Sequence, residues 1–300
     1  MTTILIKLSG NIVADTNALG KLSEYIFDRR SEGIRIVVVH GGGKQINELS
    51  KRLGVPVSQV AGRRVTNNET REVLLYTVGG KSNRELSAFL RSRGILAVGI
   101  SGIDGGLTTA YRRPPLDIDG IPVDFGLVGE MESVDTSLLD HLLSGGYIPV
   151  VGCLTWSAEH GILNINADTF AIRISLALNV SELIMLMDPP AVLDADRKPM
   201  ASMSREEWQR GLEAGWIRDG MKPKLLTAFE ALDKGIASVL LANADTLAAG
   251  GGTRLVAGHG GEGGPGHGDE GGSGHGDEDG PGHGEDKDSR QQRTGSSSAT

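Results

Sequence analysis

Short apolar runs alternate along the chain with longer stretches of helical period. Ile4-Leu5-Ile6 predicts a strand, followed by a helix over Asn17–Arg30. Ile34–Val39 is rich in β-branched residues, the pattern of a strand buried on both faces. A helix follows over Lys44–Leu53, and two more helical stretches, Glu69–Val78 and Ser82–Arg93, lead into a strand at Ala97–Ile100. Helical Leu138–Leu143 feeds Tyr147–Val151, and Thr169–Leu178 feeds Leu183–Met187. Glu206–Glu213 and Lys224–Leu232 precede Ser238–Leu241, and Thr253–Val256 closes the series. Strands alternating with helices imply right-handed crossovers. The expected class is therefore α/β: a three-layer, open, mainly parallel sheet with helices on both faces. Leu107–Gly126 interrupts the alternation and reads either as short antiparallel strands or as a loop, while Gly161–Asn166 predicts a short hairpin.

Composition divides the chain of 300 residues unevenly. The net charge is −8, and residues 258–300 hold nine acids against Lys287, Arg290 and Arg293. This tail is glycine-rich, with Ala299 its single apolar residue, and cannot bury enough surface to offset backbone ordering. It is expected to be disordered, leaving residues 1–257 as a nearly neutral domain. No basic excess supports nucleic-acid binding, and no apolar run reaches the roughly 18 residues of a membrane span. The first residues lack the basic and apolar regions of a secretory leader, and one cysteine, Cys153, fits a reducing compartment. The expectation is a cytoplasmic protein without membrane or nucleic-acid partners. Cys153 itself reads as a small buried side chain more readily than as a nucleophile.

Open parallel sheets bind ligands beyond the carboxyl ends of their strands. Glycines cluster there: strand one ends in Lys7-Leu8-Ser9-Gly10, and strand two in His40-Gly41-Gly42-Gly43 just before a helix. Such a run is either a tight turn or an anion loop in which backbone N–H groups and the helix dipole face a phosphate. Neither the Gly-x-x-x-x-Gly-Lys-[Ser/Thr] loop nor a dinucleotide fingerprint is present. Lys7, at the end of a buried strand, is poorly explained as a solvated surface residue. Another lysine opens a helix in Gly220-Met221-Lys222-Pro223-Lys224, and Asn164-Ile165-Asn166-Ala167-Asp168 lies ahead of a third helix. Asp168 alone would read as a helix cap. Two lysines, glycine loops and an aspartate together suit phosphoryl transfer, which depends on positioning and positive charge.

These motifs, taken in order with Gly62-Arg63-Arg64-Val65-Thr66, Ser101-Gly102-Ile103-Asp104-Gly105-Gly106 and Gly126-Leu127-Val128-Gly129, resemble the amino acid kinase family, and within it the acetylglutamate kinases, from residue 3 to about 256. The resemblance implies transfer of the γ-phosphoryl group of ATP, carried with Mg²⁺, to the side-chain carboxylate of N-acetyl-L-glutamate, a step of arginine biosynthesis. It implies that Lys7 and Lys224 neutralise the moving phosphoryl group and that Asp168 holds both ammonium groups. Backbone amides of Gly10, Gly42 and Gly43 would cradle phosphates, with Gly41 and Asp188 on the nucleotide side. Gly42, Gly43, Arg64 and Asn164 would border the acyl amino acid, Arg64 clamping its carboxylate; without the motif, Arg64 would read as a surface ion pair. Residues of about 1–165 would form the acyl-amino-acid and dimerisation lobe, and about 166–257 the nucleotide lobe. No protein-held metal is implied.

Three positions depart from the pattern: Ser9 for the usual glycine, Ile103 for a frequent lysine, and Met187-Asp188-Pro189-Pro190-Ala191-Val192-Leu193 beside the nucleotide. Rival readings are a kinase of N-succinylglutamate or of a carrier-linked amino acid such as aminoadipate, and a non-catalytic amino-acid sensor. Arg64-Val65-Thr66 and Asn164–Asp168 favour a small free acylated amino acid. With only Met1 and Thr2 ahead of the first strand, an arginine-insensitive homodimer is expected. His259, His267, His275 and His283 recur every eight residues in the tail. This repeat reads as a solubilising segment or as a weak transition-metal binder.

Overall fold

A computed structural model describes residues 1–218 and 220–256. The expected disordered tail and its histidines lie outside the described residues. The central sheet contains β1 (Thr3–Leu8), β2 (Arg35–His40), β3 (Ala97–Ser101), β4 (Ile148–Gly152), β5 (Glu182–Leu186), β6 (Ser202–Met203), β7 (Val239–Ala242) and β8 (Thr253–Leu255). Their spatial order is β6-β8-β7-β5-β1-β2-β4-β3, parallel throughout except where β7 meets β8.

Alternation along β1 decides what each face receives. Ile4, Ile6 and Leu8 join the core formed with Leu19, Leu22 and Ile26 of α2 (Thr16–Ser31) and Leu86 and Leu90 of α5 (Ser82–Ser92). Leu5 faces the other core, built with Phe170 and Ile174 of α7 (Ala167–Ala177) and Phe229 of α9 (Met221–Asp233). Lys7 continues the Leu5 side, so the period of two delivers its ammonium to the layer where α7 begins. From β1 the chain moves to β2 on one side, and after β5 it fills the other with β6, β7 and β8. The topological switch point therefore lies between neighbours β1 and β5.

Most of the expected elements form, with ends shifted by one to three residues. Gly161–Asn166, expected as a hairpin, supplies one strand paired with Leu154–Ser157. Glu69–Val78, expected as one α-helix, also differs. Here α4 (Asn68–Leu74) passes into a π-helix over Leu75–Lys81 and then into α5. Thr77 Oγ1 donates to the carbonyl of Val73 at 2.6 Å, and Gly79-Gly80 removes the side chains that would resist the wider turn. The interruption at Leu107–Gly126 resolves as short strands, paired antiparallel except where Thr108–Arg112 meets Leu154–Ser157. Thr108–Arg112 joins Gly129–Val134, Leu154–Ser157 and Gly161–Asn164 in a four-stranded side sheet, and Leu116–Ile118 pairs with Ile121–Val123. The Asp119-Gly120 turn of that hairpin has positive φ at both positions, as type I′ geometry requires. Among the described residues no helix is long and apolar enough to cross a membrane.

Candidate functional site

Beyond the carboxyl ends of β1 and β2 opens a cleft of about 640 Å³. Several helices begin on its walls: α1 (Gly10–Val13), α3 (Gly43–Leu53), α7 and α9. Their first N–H groups have no partner within their helices, and their dipoles place partial positive charge at one place. The two glycine loops meet closely. Gln45 Nε2 donates to the Gly10 carbonyl at 2.8 Å, and a Cβ on Gly10 would stand 3.3 Å from the Gly43 amide nitrogen. A Cβ on Gly42 would come to 3.0 Å from Val78 on the π-helix, and one on Gly41 to 3.1 Å from Ala167. Gly43 has open space on that side, towards the cleft it lines.

The loop is held from behind by a buried imidazole. His40 is fully buried, with Nδ1 2.8 Å from the Gly41 carbonyl and Nε2 3.0 Å from Asn83 Nδ2. Asn83 also donates to the carbonyls of Val150, at 2.9 Å, and Ile100, at 3.1 Å. These partners assign the proton to Nδ1, which donates to Gly41, while Nε2 accepts from Asn83. Burial pulls the imidazole pKa down to about 4, so His40 is neutral at pH 7.

Lys7 and Asp168 form an ion pair of 2.5 Å, with Lys7 13% and Asp168 24% exposed. Asp168 is free for this role because Asn166 caps α7 instead, its side-chain oxygen accepting from the N–H groups of Asp168 and Thr169. Of the two ammonium groups that Asp168 is expected to hold, Lys7 is the one within ion-pair distance of it among the described residues. Lys224 lines the cleft from α9 but has no carboxylate within 4 Å among the described residues. It stands on a separate helix from the Lys7–Asp168 pair.

Nine of the ten expected site residues line the cleft: Lys7, Gly10, Gly41, Gly42, Gly43, Arg64, Asn164, Asp168 and Lys224. Asp188 does not. It is exposed past the end of β5, and its carboxylate accepts from Asn11 Nδ2 at 2.7 Å, tying the two strands of the switch point together. Asn164 Nδ2 donates to Thr66 Oγ1 at 3.2 Å. Arg64 arrives on a hairpin of Gln59–Val60 with Arg63–Arg64, closed by Ala61 and Gly62, both at positive φ. Its Nη2 donates to Asn47 Oδ1 at 2.5 Å and less closely to the Gly43 carbonyl at 3.4 Å. Desolvation lowers the Arg64 pKa, but a guanidinium remains charged at neutral pH.

Sequence reasoning missed Asn47, Arg113 and Arg173. Arg113 and Arg173 line the cleft from segments without a motif. Cys153 also lines it, but burial pushes its thiol up to about 12, which removes it as a nucleophile.

The profile of the amino acid kinase family matches residues 2–243. A protein named acetylglutamate kinase from Sorangium cellulosum (strain So ce56) is 40% identical over 242 residues, covering 79% of this chain and 85% of its own. Another of that name, from Methanopyrus kandleri, is 37% identical over 78% of this chain and 97% of its own. Among solved structures, the smu.665 protein of Streptococcus mutans superposes with a TM-score of 0.69 at 26% identity, covering 84% of this chain and 98% of that one.

Proposed function

The chain belongs to the amino acid kinase family, and from that premise we propose that it transfers the γ-phosphoryl group of ATP to the side-chain carboxylate of N-acetyl-L-glutamate, a step of arginine biosynthesis. The observation that carries this reading is the Lys7–Asp168 pair set at the switch point beside two glycine loops, with Lys224 lining the same cleft.

In the proposed reaction a carboxylate oxygen attacks the γ-phosphorus and the bond to the β-phosphate oxygen breaks. ADP leaves with that electron pair, and an acyl phosphate forms. The attacking carboxylate is ionised at pH 7, so no general base is needed. Charge spreading over the phosphoryl oxygens would be met by Lys7, Lys224 and the amides of Gly10, Gly42 and Gly43. Gly41 supports the loop on the nucleotide side, and Asp188 lies further out beside the β5 end. Asp168 keeps the Lys7 ammonium in place without touching the substrate. Among the described residues two carboxylates line the cleft, Asp168 and Glu230, and Asp168 is committed to Lys7. This donor set suits a Mg²⁺ that travels on the nucleotide phosphates, where it would offset their charge.

Arg64 and Asn164 lie on the acyl-amino-acid side, which we assign to residues of about 1–165, leaving the nucleotide to about 166–257. Arg64→Lys is expected to raise KM for N-acetyl-L-glutamate about tenfold with kcat nearly unchanged, because a point charge cannot replace the planar fork. An unchanged KM in steady-state assays would remove Arg64 from the clamp.

A second reading is an acyl group that itself ends in a carboxylate, which would meet Arg113 on the cleft wall in competition with Glu130, 3.7 Å from its Nε. Release of ADP, measured with N-acetyl-L-glutamate, N-succinyl-L-glutamate and L-aminoadipate derivatives, separates these substrates. Release with none of them leaves the sensor reading. We also propose a homodimer, for which the open edge of β3 and the exposed Leu96 beside it offer surface; a monomer in light scattering would reject it. A cytoplasmic location suits a chain whose one cysteine is an unpaired buried thiol. For the tail histidines, weak Ni²⁺ or Zn²⁺ binding is the reading to test by calorimetry against a chain ending at residue 257.

A further inference from the structure

We propose that Asn47 is a positioning residue, which fixes the Arg64 guanidinium for an incoming carboxylate and, being neutral, does so without spending its charge. The inference rests on the reading of Arg64 as the clamp for the acyl amino acid.

Arg64 is half-buried at the lip of the cleft, yet no carboxylate lies within ion-pair distance of it among the described residues. Its acceptors are both neutral, the Asn47 side-chain oxygen and the Gly43 carbonyl, and both engage Nη2. Nη1 is buried and has no hydrogen-bond partner. A guanidinium left in that condition bears an unmet desolvation cost, which a ligand carboxylate would relieve.

The geometry of α3 explains why position 47 can do this. Ile46 and Ser50 face inwards and are buried, while Asn47, one turn after Gly43, is exposed at the lip. Gly43 and Asn47 are four residues apart, so they share one face of the helix. A single guanidinium nitrogen therefore reaches both, and the Arg64 hairpin becomes tied to the first turn of the helix that follows the glycine loop. The rotatable bonds of the arginine side chain are restrained by that contact before substrate arrives.

The chemical identity of the acceptor matters as much as its place. An aspartate would hold Nη2 as well as asparagine does, and more strongly. It would also supply the negative charge that the substrate carboxylate is meant to supply, so the two anions would compete for one cation. A purely structural role and a positioning role thus predict opposite outcomes for the same isosteric change.

The test uses Asn47→Asp and Asn47→Ala in the full chain, with steady-state kinetics, equilibrium binding of N-acetyl-L-glutamate and thermal melts. Asn47→Asp should raise KM for N-acetyl-L-glutamate about tenfold or more, the loss expected when a charge-assisted contact is neutralised. Its Tm should stay at or above that of the wild type, and kcat and KM for ATP should stay within about twofold. Asn47→Ala should raise the same KM by about fivefold, since the fork loses its restraint but keeps its charge. A KM within twofold of wild type for Asn47→Asp would overturn the proposal, as would equal changes in both KM values. Should Asn47→Asp fail to fold, Asn47→Ala decides: binding within twofold of wild type rejects the role. Absence of turnover by the wild type would count against the functional reading instead. The same variants would then be compared by direct binding of whichever acyl amino acid the wild type accepts.

Discussion

Lys7→Ala is expected to lower kcat about 10²–10³-fold, the scale on which one preorganised transition-state contact is lost. Two effects act together. The substitution removes a cation from the point where charge develops, and it strips Asp168 of its ion-pair partner on the cleft wall. A carboxylate without its counter-ion would then face the nucleotide phosphates and repel them. KM for N-acetyl-L-glutamate should move far less, because the contact strengthens as the phosphoryl group moves. Arg should not rescue the position, since its fork is larger than the compact ammonium enclosed between β1 and α7. Lys224→Ala should fall in the same range, but without the Asp168 component, because Asp168 pairs with Lys7 and lies outside ion-pair distance of Lys224. Coupled ADP-release assays at saturating substrates make the comparison. Activity of either variant within tenfold of wild type would take that lysine out of the reaction.

The second large effect is on stability towards acid. In the unfolded chain an imidazole titrates near 6.5, while in the fold burial holds His40 neutral down to about 4. Between these values the unfolded chain binds the proton that the native state refuses, so stability falls as pH drops through this window. The loss from this group should total about 3 kcal/mol, be absent above pH 7 and level off below about pH 4. His40→Gln, neutral at every pH, should flatten the profile relative to wild type in urea unfolding at pH 7.5, 5.5 and 4.5. Parallel profiles would contradict the assignment, as would an imidazole that titrates near 6.5 by NMR in the wild type. Loss of the Nε2 acceptor on protonation would also set His40 against the Asn83 amide, so the glycine loop should loosen before the rest of the sheet.

The order of strands and helices was legible because β1, β2 and β5 carry continuous apolar runs and their crossover helices carry a period of 3.6. Lys7 was legible for the same reason, as the one charge in an otherwise apolar strand. The function of Asp168 was harder. Sequence alone reads Asp168 as the cap of α7, and only the structure shows that Asn166 takes the cap instead. Arg64 could be placed by motif but not by element, since its hairpin has two residues per strand, too short for any periodicity to register. Asn47 and Arg64 meet across 17 positions, and His40 and Asn83 across 43. Such long-range partners leave no local signal. The π-helix was missed because its residues have ordinary helical propensities and the widening depends on what packs beside it.

That π-helix has a consequence for how the chain tolerates change in length. Over Leu75–Lys81 the backbone accommodates more residues per turn than an α-helix between the same two neighbours, α4 and α5. Excision of Gly79 or Gly80 would let the segment relax to α-helical hydrogen bonding with α4 and α5 kept close to their present phase, because the wide turn already absorbs the extra residue. An added residue has no such slack: it would rotate α5 by about 100° relative to α4 and carry Asn83 away from the three strands it joins. A one-residue lengthening here, far from either lysine in sequence, would release the anion loop as surely as a mutation within it, whereas the Asp119-Gly120 hairpin could change its tip and leave the loop untouched.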